Sequence, residues 1–100
     1  LKAAYLRLID EVFARHALDG LVYPQMLQEL PGLHSDEAIL ETTVGELNIA
    51  GIPGVTVPAG YYASGAPFGL IFLGKQWSEA GLLTLAHAYE QATQHRKPAV

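Results

Sequence analysis

Cysteine is absent from this chain of 100 residues. That excludes a disulfide framework and thiolate chemistry, and it fits a cytoplasmic setting. Basic residues are missing from the long middle: between His16 and Gly74 there is no Lys or Arg. The same stretch carries Asp19, Glu29, Asp36, Glu37, Glu41 and Glu46. Nucleic acids and anionic membrane surfaces are bound through basic patches, so neither is an expected partner. No apolar run approaches the roughly 20 residues that span a bilayer, and no secretory signal pattern is visible, although a fragment could have lost one. Serine is scarce, limited to Ser35, Ser64 and Ser78, and none sits in a G-x-S-x-G elbow.

Hydrophobic residues, by contrast, make up 50% of the chain, more than so short a domain can cover. Together with a start at Leu1 in place of Met, this points to a fragment of a larger protein. The densest stretch runs from Asn48 to Gly74. It reads as a strand over 53–58, a turn over 63–67 and a strand over 68–74, rich in Val, Ile and Phe and bounded by Gly and Pro. Their linker is too short for a helical crossover, so these strands should pair antiparallel.

The rest of the chain is read around that hairpin. Residues 2–17 pattern as a helix with Tyr5, Ile9, Val12, Phe13 and His16 on one stripe. Asp19-Gly20 should stop it, and 20–24 reads as a short buried strand ended by Pro24. Residues 25–34 have no period and read as a loop. Ser35 or Asp36 could cap a helix over 35–48. At helical spacing Leu40, Val44 and Leu47 share one face of that helix, while Ala38, Glu41, Thr42 and Gly45 share the other. Gly in a helix interior costs about 1 kcal/mol relative to Ala, so Gly45 is either tolerated or marks close approach by a strand or ligand. A last helix over 77–95, capped by Ser78, would bury Leu82, Leu85, Ala86, Tyr89 and Thr93. Its cationic end at His95, Arg96 and Lys97 suits the helix dipole.

Chemistry-bearing patterns do not survive scrutiny. Gly69 to Lys75 has P-loop spacing, but Leu70 to Leu73 is a buried-strand sequence and Gln76 stands where magnesium needs a hydroxyl. His16, His34, His87 and His95 include no i,i+4 pair, so no metal site is expected. Ser78 with Lys75 is better explained by helix capping than as a nucleophile–base pair. No nucleophile, base and oxyanion donors assemble here, so no catalytic residue is expected in the chain itself.

Three segments, in order, nevertheless resemble one family. Asn48 to Gly60, NIAGIPGVTVPAG, is similar to the "N-L-A-G-L-P-A-(I/V)-(S/T)-V-P-x-G" segment of amidase signature enzymes. Gly65 to Gly74, GAPFGLIFLG, is similar to their "G-L-P-V-G-L-Q-L-I-G", and Trp77 to Leu83, WSEAGLL, to their "F-D-E-A-x-L-L". Upstream, Asp19 to Pro24, DGLVYP, resembles the "Y-D-x-L-L-x-P-T" strand, with Gln25 in place of the Thr. Ala66 for Leu, and Ile71 with Phe72 for the Gln-Leu step, are further departures.

The resemblance implies an α/β fold. This chain would be the C-terminal fragment of a single amidase domain, contributing a mixed sheet with the antiparallel 53–58/68–74 pair covered by helices. It implies hydrolysis of amide C–N bonds, other than peptide bonds, through a serine acyl-enzyme. The nucleophilic Ser, a second Ser held by a cis peptide and a Lys would all lie upstream. No cofactor or metal is implied. The partners would be the upstream part of the same domain and a small-molecule amide, with a homodimer also open. In fatty acid amide hydrolases, members of this family, the helix before the "N-x-x-x-x-P" segment borders the acyl channel. By that correspondence Ala38, Glu41, Thr42 and Gly45 would line the substrate pocket, with a solvated rim position as the alternative for Glu41. A non-catalytic scaffold, or a component of an amidotransferase with the same fold, is the alternative function.

Overall fold

The computed structural model describes residues 1–39 and 42–98. Its elements run α1 (Lys2–His16), β1 (Leu21–Pro24), α2 (Gly45–Ala50), β2 (Gly54–Tyr61), β3 (Pro67–Leu73) and α3 (Glu79–Thr93). The strands form one sheet in the order β1-β3-β2. Both pairings are antiparallel, the hairpin β2–β3 as its short linker requires and β1–β3 as well. The parallel component expected of a mixed sheet is therefore not formed by these three strands.

Register explains the two cores. Val55 stands opposite Phe72 and Val57 opposite Leu70. Because side chains alternate across a strand, these four share a face. α3 covers that face through Leu82 and Ala86, with Leu85 and Tyr89 packed alongside. Leu82 is 1% exposed, the most deeply buried large side chain, and burial of a leucine stabilises by about 1.5–3 kcal/mol. The Phe72 and Tyr89 rings meet edge-on at 5.7 Å. On the opposite face Ile71 and Leu73 join Phe13 of α1, Leu47 and Ala50 of α2, and Ile52. β3 is thus covered on both sides, which is why its sequence is an unbroken apolar run rather than an alternation.

α1 keeps its expected bounds almost to the residue, with Tyr5, Leu6 and Ile9 packed beside the buried Phe13. Val12 and His16 fall outside that packed stripe and are exposed. The helix stops earlier than Asp19-Gly20. Ala17 adopts the left-handed conformation (φ 51°) and donates to Ala14 O, while Leu18 N–H donates to Phe13 O at 3.0 Å. This is a Schellman stop, and Leu18 packs against the core cluster that contains Phe13.

The helix expected over 35–48 is not formed. Leu40 and Glu41 lie outside the described residues; of the face assigned to Leu40, Leu47 is buried and Val44 packs against the core. Ser35 does accept a backbone hydrogen bond, from Glu37 N–H at 3.0 Å, but no helix follows it. Thr42 instead bridges Met26, and Thr43 N–H donates to Gln25 O at 3.1 Å. The Thr43 hydroxyl lies 2.9 Å from Pro24 O and 2.8 Å from Gln25 O, and Tyr23 OH donates to Thr43 O at 3.3 Å. These long-range bonds hold 42–43 as an extended strap against the end of β1. Only at Gly45 does the chain turn helical, and it stops at Gly51, whose φ of 68° suits glycine.

The ends of α3 also differ from expectation. The helix starts at Glu79, and Ser78 makes no capping bond; its Oγ donates to Lys75 O at 2.6 Å. Gln94 ends the helix in the left-handed region, so His95, Arg96 and Lys97 lie beyond the last turn. Lys97 is put to another use, described below.

Candidate substrate cleft

A cleft of about 520 Å³ opens where β1 ends and the β2–β3 hairpin begins to separate from it. Volumes of this order accommodate small organic ligands. One wall is the segment after β1, with Gln25, Met26, Gln28 and Leu30. The other is the hairpin, with Thr56, Val57 and Pro58 on β2, Tyr61 and Tyr62 at its end, and Pro67, Phe68 and Gly69 on β3. No Asp, Glu, Lys or Arg is among these residues. The site is therefore suited to a neutral ligand that offers apolar surface.

Local rules build each wall. Pairing between β1 and β3 runs one residue past Pro24, because Gln25 N–H donates to Gly69 O at 3.1 Å. The carbonyl of Gln25 takes the Thr43 bonds, so its main chain is anchored on both sides. On the hairpin, the ladder slips between Pro58 and Gly60. Gly60 has φ 149°, and a Cβ there would sit 2.9 Å from the Phe68 ring. The bulge thus needs glycine, and it re-aims the residues that follow. Tyr62 and Phe68 pack as a tilted pair at 5.5 Å. Tyr61 is tied down from the other end of the chain: its hydroxyl accepts Lys97 N–H at 2.9 Å, and Lys97 Nζ lies 5.1 Å from its ring centroid. Ser64 at the hairpin turn donates to Glu29 Oε1, linking the two walls.

The positions singled out from the sequence lie elsewhere. Ala38 is exposed in the irregular segment before α2. Thr42 is exposed and touches the cleft only through its bridge to Met26. Gly45, exposed at the start of α2, has open space where a side chain would project. Glu41 lies outside the described residues. Pattern reading missed Gln25 and the aromatic set, although two signals were available. Gln25 interrupts the family's Pro-Thr step, and Tyr61, Tyr62 and Phe68 crowd one turn. Among the described residues, no group of three or more His, Asp or Glu side chains could hold a metal ion. The four histidines are exposed and dispersed. No helix of the described residues is long and apolar enough to cross a membrane.

The sheet and its helical cover are those of the amidase-signature fold, and the chain belongs to the amidase signature family. No protein-family model matches it. It is 37% identical, over 92% of its length, to the A subunit of glutamyl-tRNA(Gln) amidotransferase from Cereibacter sphaeroides. It is 39% identical, over 85% of its length, to a protein of Arabidopsis thaliana named a probable amidase. It covers 20% of the first relative and 15% of the second. Among solved structures it resembles native peptide amidase from Stenotrophomonas maltophilia, with a TM-score of 0.80 and 38% identity. That likeness covers 99% of this chain and 20% of the peptide amidase. The chain thus spans about a fifth or less of the proteins it matches.

Proposed function

We propose that the protein carrying this segment hydrolyses amide C–N bonds through a serine acyl-enzyme. Its nucleophilic Ser, second Ser and Lys would come from outside these residues. In such an enzyme the segment is the C-terminal part of the catalytic domain and supplies one wall of the substrate site. The observation that carries the reading is the joint one. The three family-like stretches fold into a single hairpin-and-helix unit that resembles peptide amidase over nearly its whole length, at 38% identity. The substrate class is small amides other than peptide bonds, and the setting is the cytoplasm; the uncharged cleft favours a neutral amide, and the cysteine-free chain favours the cytoplasm. A homodimer is compatible with this reading. Gly45, with open space around it, is the sequence-predicted position best suited to border a bound amide.

The likeness to the amidotransferase favours a second reading, in which the protein works within a complex and delivers ammonia to a partner. Purified full-length protein, assayed for ammonia release from a panel of carboxamides, separates the two. Turnover without any partner, lost when the upstream Ser or Lys is replaced, supports the free-standing hydrolase. Turnover only with a partner supports the complex. No turnover in either setting sinks both and leaves a scaffold.

A further inference from the structure

The segment after α3 folds back along the sheet. Gln94 turns the chain with φ 48°, and its N–H still donates to Glu90 O at 2.8 Å. The next residue lays its imidazole beside α3: the His95 ring lies 6.3 Å from that of Tyr89, which itself meets Phe72 at 5.7 Å. This path delivers Lys97 to Tyr61, 36 residues away in sequence. Two groups of the one residue converge there. The main-chain N–H donates to the phenolic oxygen at 2.9 Å, and Nζ stands 5.1 Å from the ring centroid, within cation–π range. The ladder by itself holds Tyr61 weakly. It is the last residue of β2, just past the bulge at Pro58 and Gly60, and its partner across the ladder is Pro67, which has no N–H to give. Yet Tyr61 is part of the cleft lining.

We propose that residues 94–97 form a clasp on the cleft, with Lys97 as a positioning residue that presets the Tyr61 ring as a wall for the apolar part of a neutral ligand. A loose tyrosine must be immobilised when a ligand packs on it, and that ordering lowers affinity about fivefold. Held by Lys97, the ring is ordered before the ligand arrives. Lys97 is not among the residues that line the cleft, so it acts through Tyr61. Loosening it should raise KM and spare kcat, since the ring takes no part in bond breaking. The inference rests on the amide-hydrolase reading for its kinetic readout, but not for its binding step.

The test uses the full-length protein with benzamide, which carries a planar apolar group, and acetamide, which carries none. Lys97→Pro removes both the N–H and the cation. It should raise KM for benzamide about fivefold at unchanged kcat and leave acetamide within about twofold. Lys97→Arg keeps both groups and should restore most of the affinity. A cycle with Tyr61→Ala separates positioning from a general structural role. In that background Lys97→Pro should change KM no further, because the residue it acts through is gone. An equal effect in both backgrounds, an equal effect on both amides, a loss confined to kcat, or no effect overturns the proposal. If benzamide is not turned over, calorimetric titration with benzamide decides the clasp; inertness toward acetamide as well counts against the hydrolase reading separately. A Kd raised about fivefold by Lys97→Pro, but unmoved in the Tyr61→Ala background, upholds the clasp. Absent binding, or binding indifferent to Lys97, overturns it.

Discussion

Gly54 lies directly beneath Leu47: a Cβ on the glycine would sit 2.6 Å from Leu47 Cδ2 and 3.2 Å from Ile71 Cδ1. β2 and α2 approach so closely because that glycine has no side chain. Leu47, which is buried, has little room to retreat. Gly54→Ala should therefore destabilise the fold by about 1–3 kcal/mol, the usual range for overpacking. Urea denaturation of the full-length protein measures it. The companion variant Leu47→Ala should lose stability on its own but absorb the added methyl. The double variant should then be more stable than the sum of the singles predicts. Strict additivity would contradict the contact.

Ala17 ends α1 in a conformation that L-residues disfavour, with φ 51°. Its main-chain bonds at the Schellman stop do not depend on the methyl group. Left-handed geometry costs a non-glycine residue roughly 1–2 kcal/mol. Part of that is returned when glycine loses its extra freedom on folding. Ala17→Gly should raise stability by about 0.5–1 kcal/mol, seen as a higher urea midpoint at unchanged slope.

Tyr23 holds the strap through its hydroxyl, which donates to Thr43 O at 3.3 Å. Its pKa is raised from the ordinary 10.0, first by burial and then by the negative charge of Glu46. The folded protein thus keeps this proton to a higher pH than the unfolded chain does. Its contribution is fully present below pH 10 and is lost as the pH rises above that value through the raised folded pKa. Tyr23→Phe should lower stability at neutral pH and flatten the alkaline fall in stability above pH 10, where the wild type should decline more steeply. Parallel alkaline slopes in the two proteins would remove Tyr23 from the account.

At Gly45 a side chain would meet open space, and the residue is exposed at the first turn of α2. Gly45→Leu should therefore leave the melting temperature of the full-length protein nearly unchanged. If the position borders the substrate, turnover of bulky amides should fall several-fold while small amides are spared. Unchanged rates across a size series would place Gly45 at solvent and leave the cleft as the recognition wall.

Much of the architecture is legible in the sequence. α1 and α3 declare themselves by apolar residues at helical spacing, ending in Phe13 on one side and in Leu82 and Ala86 on the other. The β2–β3 hairpin follows from β-branched and aromatic residues bounded by Gly and Pro, with a linker too short for anything but antiparallel pairing. These are local signals, and the fold obeys them. Residues 35–48 show the limit. Leu40, Val44 and Leu47 have helical spacing, yet Thr42 and Thr43 bond to Met26, Pro24 and Gln25, some 16 to 19 residues away in sequence. β-Branched threonines give up little when extended, so long-range hydrogen bonds outweigh a weak local period. The cleft lay beyond reach for a related reason. Its walls come from stretches separated in the chain, brought together by the β1–β3 register and by the bulge at Pro58 and Gly60. Sequence by itself determined which segments are buried and how the hairpin pairs, because burial and turn chemistry are written residue by residue. Only the tertiary structure decided which side chains meet across the cleft, because that depends on neighbours the chain meets after folding.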